Sequence, residues 1–410
     1  MAHHQGMTIV AIANTLHDGR MRERFHREPM VQACELLLQE RMPRLVAVAH
    51  PRAEETKNGP ADVRNDVHAV RRMGAPGTGA PATHLLSSGH YAVMLTAAGT
   101  GYSRWRDLAV TRWREDTTSE DWGSHIYLRD AQSGRVWSAA AQPTGSVADV
   151  YEVAFAEDHA AFTRHDGSMT TTTEVLLSAE ADGEVRQVTL VNTGAKVREI
   201  DVTSYAELVL APQAADTAHP AVSKLFVQTE YLPEFGALVA TRRVRSPCEH
   251  TVWAAHFAVI EGTVIAPAQY ESDRCRFLGR GHTARTARAV YEGGALSNTV
   301  GTVLDPIFAL RHRVRLAPGQ MAKVAFWTLI APTREALLDL VDQHHDRNAF
   351  ERARTLAWTQ AQVQLRHIGI TADEAADFQR LATPILYADA CFRAPAEAIA
   401  RGAGPQSGLW

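Results

Sequence analysis

Three short stretches hold the side chains best suited to recognition or chemistry: Gly99-Thr-Gly-Tyr-Ser-Arg-Trp-Arg-Asp107, Thr111-Arg-Trp-Arg-Glu-Asp116 and Asp121-Trp-Gly123. Read as strands, they place Arg104 and Arg106 on one face with Trp105 opposite, and Arg112 and Arg114 opposite Trp113. This mixture suits sugars. Indole rings stack on the apolar faces of sugar rings, and guanidinium or carboxylate groups bond hydroxyls in pairs. The candidate sugar-contacting residues are Tyr102, Arg104, Trp105, Arg106, Arg112, Trp113, Arg114, Asp116 and Trp122. A structural reading uses the same residues, with tryptophans inside a sandwich core and Arg–Asp pairs on its surface.

Other chemistries find less support. Glycoside cleavage needs two carboxyl groups about 5–10 Å apart across the sugar. Glu115 and Asp116 are neighbours and would face opposite ways on a strand. Gly99-Thr-Gly101 lacks the third glycine of a dinucleotide fingerprint and lies among strands, so it reads as a turn. No nucleophile elbow or P-loop stands in a strand–helix context. His3 and His4 on a helix would point about 100° apart with no third ligand near, so they read as polar contacts at a domain edge. His344 and His345, before Asp346, read as solvated. No catalytic residue, metal or cofactor is assigned.

The positioning elements follow from periodicity. Met7, Val10, Ala11, Ala13, Asn14 and Leu16 mark a helix ended by Asp18-Gly19, and a second helix is expected over 29–41. Prolines and glycines over 46–80 suggest a linker. Strands are expected at 90–96, 108–114, 124–129, 136–138, 151–155, 160–164, 172–177, 185–191, 198–205, 225–229, 237–242, 252–259 and 323–330. Thr333 and Thr371, the latter with Glu374, look like helix caps, and a further helix is expected over 349–366. The expected fold is mainly β: a large antiparallel sandwich flanked by helical segments.

The chain of 410 residues carries 42 Lys+Arg against 46 Asp+Glu, a net charge of −4 that argues against nucleic acid or an anionic membrane surface as partner. Cys34, Cys248, Cys275 and Cys391 form no CxxC pair, which fits a reducing, cytoplasmic setting better than a disulfide scaffold. No signal peptide and no run of eighteen apolar residues is visible, so no membrane contact by this segment is expected. Both ends read as cut, with an apolar helix directly after Met1 and an apolar stop at Trp410.

The wording of these motifs resembles a known family. Leu85-Leu-Ser-Ser-Gly-His-Tyr-Ala-Val-Met94, Gly101-Tyr-Ser-Arg-Trp-Arg-Asp107, Thr111-Arg-Trp-Arg-Glu-Asp116, Ile126-Tyr-Leu-Arg-Asp130 and Trp137-Ser138 resemble the N-terminal sandwich of the cellobiose phosphorylase family. The longer run from Arg104 to Asp116 is similar to the cyclic β-1,2-glucan synthases. Met1-Ala-His-His-Gln-Gly-Met7 and Glu35-Leu-Leu-Leu-Gln-Glu-Arg41 resemble the end of a preceding helical glycosidase-like domain, and Gln406-Ser-Gly-Leu-Trp410 the approach to an (α/α)6 barrel.

The resemblance implies preceding-domain helices over 1–44, a linker over 45–80, a β super-sandwich of the galactose mutarotase-like kind over 81–332 and a helical linker over 333–410. It implies that the general acid and phosphate-binding residues lie in a barrel beyond Trp410, and that the parent enzyme sits in the bacterial inner membrane. The implied partners are a β-glucan oligosaccharide, the catalytic barrel of the same polypeptide, and a second copy in a homodimer. The implied role is an accessory sandwich for β-glucan synthesis or phosphorolysis, inactive alone, with a purely structural or dimerising module as the alternative.

Overall fold

Alternation of apolar and polar residues builds most of this chain. In His159–Asp166 the residues Ala160, Phe162, Arg164 and Asp166 are buried, and those between them are half-exposed. Such strands bury one face and must find a second apolar layer. The computed structural model describes residues 2–28, 31, 70–77, 79–116, 118–245, 249–387, 394–395 and 397. The helix expected over 29–41, apart from Val31, most of the expected linker, and 406–410 lie outside them.

Two antiparallel sheets supply the layers. The first runs β1 (Arg71–Met73), β8 (Val150–Phe155), β9 (His159–Asp166), β10 (Met169–Leu177), β11 (Gly183–Asn192), β19 (Met321–Ala331), β15 (Trp253–Glu261), β14 (Ala237–Arg242) and β13 (Val227–Leu232). The second runs β16 (Thr263–Val264), β18 (Pro306–Leu316), β12 (Arg198–Pro212), β5 (Leu108–Thr111), β4 (Gly101–Trp105), β3 (Tyr91–Thr96) and β2 (Thr83–Ser87). Off that path, β17 (Gln269–Asp273) pairs with β18, and β6 (Ser124–Asp130) joins β12 to β7 (Val136–Ser138). β12 spans both halves of its sheet. Residues 200–206 face β6, and 208–212 face β5 across a register shift between Leu208 and Ala211.

The main core lies between the sheets. In β19, Ala322, Val324, Phe326 and Ile330 face inward, while Ala325, Trp327, Leu329 and Ala331 face outward. The outward face is covered by Leu337 and Val341 of helix α3 (Arg334–His344) and by Ala349, Phe350 and Ala353 of helix α4 (Ala349–Ile368). Each large apolar side chain buried this way stabilises the fold by about 1.5–3 kcal/mol. A third cluster, including Tyr127, Tyr205, Phe277 and Ile307, lies under the short helices Arg274–Leu278 and Arg288–Tyr291.

Helix termini follow the expected caps. Thr333 Oγ1 accepts from Ala336 N at 3.2 Å, and Thr371 with Glu374 forms a capping box on helix α5 (Ala372–Leu386). α5 lies along β2, an edge strand. Leu85 N–H donates to Gln379 Oε1 and Gln379 Nε2 donates back to Leu85 O, both at 2.8 Å, and Thr83 N–H donates to Thr383 Oγ1 at 3.3 Å.

The large antiparallel sandwich stands as expected, with differences of detail. Arg71–Met73, inside the stretch read as linker, is an edge strand on β8. Pro306–Leu316, left unassigned by the sequence reading, is an eleven-residue strand. The strand expected over 108–114 ends at Thr111 because Arg112 turns inward to carboxylates. His344 is buried at 1% exposure rather than solvated. Its Nδ1 meets Leu340 O at 2.8 Å, its ring lies against Trp327, and burial lowers its pKa; His345 is exposed.

The N-terminal residues belong to a separate compact unit. Helix α1 (Ala2–Leu16) and helix α2 (Arg20–His26) are joined through left-handed Asp18 and Gly19, and Asn14 Oδ1 accepts from Met21 and Arg22 N–H at 3.0 and 3.2 Å.

Candidate functional site

The nine sugar-contact candidates separate into two groups. Arg112 is the centre of the first. It is 3% exposed and holds Asp216 through Nε and Nη2, both at 3.2 Å, and Glu207 through Nη1 at 2.6 Å. Arg114 Nη2 reaches the same Asp216 at 2.6 Å. Arg274 holds Glu207 at 2.5 Å, Tyr205 O–H donates to Glu207 at 2.8 Å, and Lys224 holds Asp305 at 2.7 Å. Burial alone would raise the pKa of Asp216 and Glu207, but the surrounding guanidiniums outweigh it and both fall below the usual carboxylate range. The expected surface ion pairs are thus buried ones, and the charge of Arg112 is already spent on protein carboxylates.

Around this node stand aromatic residues. Trp113 makes edge contacts with Tyr102 at 5.5 Å and with Tyr387, just past α5, at 5.9 Å between centroids. Burial raises the Tyr102 phenol and pushes Tyr387 up to about 12. Tyr102, Arg104, Arg112, Trp113 and Arg114 together enclose a void of only about 20 Å³, too small for a sugar. Asp116 caps its own turn, accepting from Thr118 N–H at 2.8 Å and Oγ1–H at 2.6 Å. Trp122 is half-buried, and its carbonyl accepts from Gly101 N–H at 3.0 Å. That bond depends on a glycine: Gly101 has φ +146°, and a Cβ there would stand 1.8 Å from Met94 O.

The second group opens onto solvent. Trp105 is 3% exposed and donates from Nε1 to Asp182 Oδ2 at 2.7 Å. The exposed Arg106 lays its guanidinium 4.7 Å from the Trp105 ring centroid, and exposed Arg104 donates from Nε to Arg106 O at 2.9 Å. Trp105 and Arg106 form one wall of a cleft of about 290 Å³. Leu210, Arg242, Arg245 and Glu249 supply much of the rest.

Backbone strain gathers at this cleft. The non-glycine residues with left-handed φ among those described are Asp18, Arg106, Leu210 and Asn298, and two of the four line it. For a bulky residue such a conformation costs on the order of 1–3 kcal/mol and persists only where the surroundings impose it. Leu210 sits in the register shift of β12, and Arg106 forms the β4–β5 turn. Sequence reasoning found the Trp105–Arg106 wall but missed Leu210, Arg242, Arg245 and Glu249. The run Arg242-Arg243-Val-Arg245 was the available signal. Among the described residues no group of three His, Cys, Asp or Glu side chains is placed to hold a metal ion.

Comparison with known proteins places this architecture. The family described as "Glycosyl hydrolase 94, supersandwich domain" matches residues 67–347. The chain is 42% identical over 411 residues to cyclic beta-(1,2)-glucan synthase NdvB of Rhizobium meliloti (strain 1021), covering 100% of this chain and 14% of that protein. It is 25% identical over 278 residues to N,N'-diacetylchitobiose phosphorylase of Vibrio proteolyticus, covering 66% of this chain and 33% of the relative. It is 28% identical over 206 residues to solabiose phosphorylase of Paenibacillus borealis, covering 50% and 25%. The chain therefore spans well under two thirds of each relative's length. The resemblance to cyclic β-1,2-glucan synthases holds along its whole extent. With two thick antiparallel sheets and a family match across most of its length, the chain belongs to the glycosyl hydrolase 94 supersandwich-domain family.

Proposed function

We propose that this chain is the accessory, glucan-contacting sandwich of a β-glucan-processing glycosyltransferase or phosphorylase, serving cyclic β-1,2-glucan synthesis and performing no turnover by itself. One observation carries the reading: an indole, a stacked guanidinium and two strained backbone positions meet in a single cleft. The printed activity of the 42% identical relative supports the choice of glucan. In this reading the parent sits in the inner membrane, 1–44 ends a preceding helical domain, 45–70 links it to the sandwich, which begins at the strand Arg71–Met73, and 333–410 leads to the catalytic barrel. No described helix is long and apolar enough to cross a membrane.

Titration calorimetry with linear β-1,2-gluco-oligosaccharides tests the contact. Binding is expected for the 410-residue chain and is expected to be lost in Arg106→Gly. Release of glucose 1-phosphate from oligosaccharide and phosphate by this chain alone would overturn the absence of turnover. A structural or dimerising module is the second reading, and the buried Arg112 network favours it for Arg112, Trp113 and Arg114. It predicts no heat with any glucan and a dimer by sedimentation.

A further inference from the structure

We infer that the cleft beside Trp105 is a binding site for a phosphate-type oxyanion, seated on the Arg242 guanidinium. The inference goes beyond glucan contact and stands on the charge arrangement alone. Arg242 ends β14 and is 8% exposed. The one hydrogen bond of its guanidinium among the described residues runs from Nη1 to Ser223 O at 2.7 Å. A guanidinium carries five N–H donors, and a buried one normally meets a carboxylate. No described carboxylate pairs with Arg242.

The nearby acids are engaged elsewhere. Glu249 accepts from Arg245 N–H at 2.9 Å and from Arg245 Nε at 3.3 Å. Asp216 is held by Arg112 and Arg114. Asp107 also lines the cleft but makes no ion pair with Arg242, so an anion must seat at the arginine end.

Positive charge accumulates there. Arg242, Arg243 and Arg245 all place their guanidiniums over the Phe226 ring, at 5.4, 5.9 and 5.0 Å from its centroid. Arg106 lines the cleft with Arg242 and Arg245. Burial and the like charge of Arg245 pull the Arg242 pKa down and outweigh the opposing pull of Glu249 and Asp216; a bound anion would reverse the shift. Donors from separate stretches of chain suit a tetrahedral oxyanion better than a planar carboxylate, which one guanidinium fork satisfies. The cleft, about 290 Å³, has room for a phosphate and part of an attached sugar.

The test uses the full 410-residue chain, with thermal unfolding and calorimetry in inorganic phosphate, in glucose 6-phosphate, and in sodium chloride of matched ionic strength. Phosphate or its ester is expected to raise Tm by about 2 °C where chloride does not. Affinity is expected to fall at least about tenfold in Arg245→Ala and in Arg242→Lys. Arg245 is exposed, so the first variant reads binding even if the second folds poorly. Tighter binding of the ester identifies a saccharide phosphate as the source, and equal binding identifies free phosphate. An equal chloride response, an unaltered Arg245→Ala, or no response up to about 20 mM would overturn the inference. Neutral glucan binding without phosphate binding removes this inference and leaves the glucan reading intact. Phosphate binding without glucan binding does the reverse.

Discussion

Gln379 pairs with Leu85 as a neighbouring strand would, one amide side chain giving and taking a hydrogen bond with one backbone residue at 2.8 Å each. β2 is the last strand of its sheet, and its outward N–H and C=O groups would otherwise face water or another chain. Gln379→Ala should lower unfolding free energy by about 1–3 kcal/mol in urea titrations. It should also speed hydrogen exchange at the Leu85 amide. Unchanged exchange at Leu85 would show that α5 does not guard this edge.

Asp216 holds both Arg112 and Arg114 and is 1% exposed. Asp216→Ala leaves Arg112 buried with one acid fewer, so a loss of about 3–5 kcal/mol is expected by chemical denaturation. The folded pKa of Asp216 and Glu207 is depressed. Their stabilisation is therefore full above the unfolded carboxylate pKa near 4 and disappears as pH falls through the folded value. A loss below about 1 kcal/mol in Asp216→Ala would mean the network relaxes without it.

Four of the five described buried histidines add a second pH response at higher pH. His84 and His256 titrate at about 3, and His125 and His312 at about 4, chiefly because burial disfavours the charged ring. His84 shows it in geometry: Arg71 donates to its Nδ1 at 2.9 Å, so that nitrogen must be unprotonated, and Nε2 donates to Ala156 O at 2.7 Å. Above the unfolded value near 6.5 both states are neutral. Below it only the unfolded chain gains protons, so stability falls by up to about 1.4 kcal/mol per pH unit for each ring. The urea midpoint should decline between about pH 6.5 and 5, before carboxylates protonate. A flat midpoint there would contradict burial of these rings.

Arg106 has φ +53°, a conformation glycine adopts freely. Arg106→Gly should leave stability unchanged or raise it by up to about 1 kcal/mol, while removing the guanidinium from Trp105 and weakening glucan binding. Calorimetry and urea denaturation on one variant separate the two effects. A variant that loses stability and keeps binding would place Arg106 in the scaffold alone.

Much of the sandwich was legible because its strands alternate. Ala237–Arg242 matches the expected range residue for residue, and Thr333 and Thr371 cap where their side chains and spacing required. Pro306–Leu316 escaped because Arg311, Arg313 and Arg315 dilute its apolar residues. Arg311 is buried because Thr203 Oγ1 and the carbonyls of Gly294 and Ala289 accept from it, and the half-buried Arg313 is held by Asp201. His344 looked solvated beside Asp346, yet Ser178, Leu340 and Trp327 enclose it from separate elements. The Arg–Trp stripes were visible, but Glu207, Asp216, Arg274 and Asp305 are scattered along the chain and nothing local links them to Arg112. Arg242 was equally hidden, since its lack of an ion-paired carboxylate among the described residues is a property of space and not of spacing.

β12 takes three steps from Leu208 to Ala211 while its neighbour β5 takes two from Thr111 to Ala109. The left-handed Leu210 absorbs the surplus. It acts as a phase shifter, letting one continuous strand serve two partners whose side-chain alternations are out of step. Removing a single residue here would leave composition almost untouched, yet the parity of everything up to Pro212 would invert, turning the cleft's floor away from Arg106. For this stretch the quantity that must be kept is length, counted to the residue.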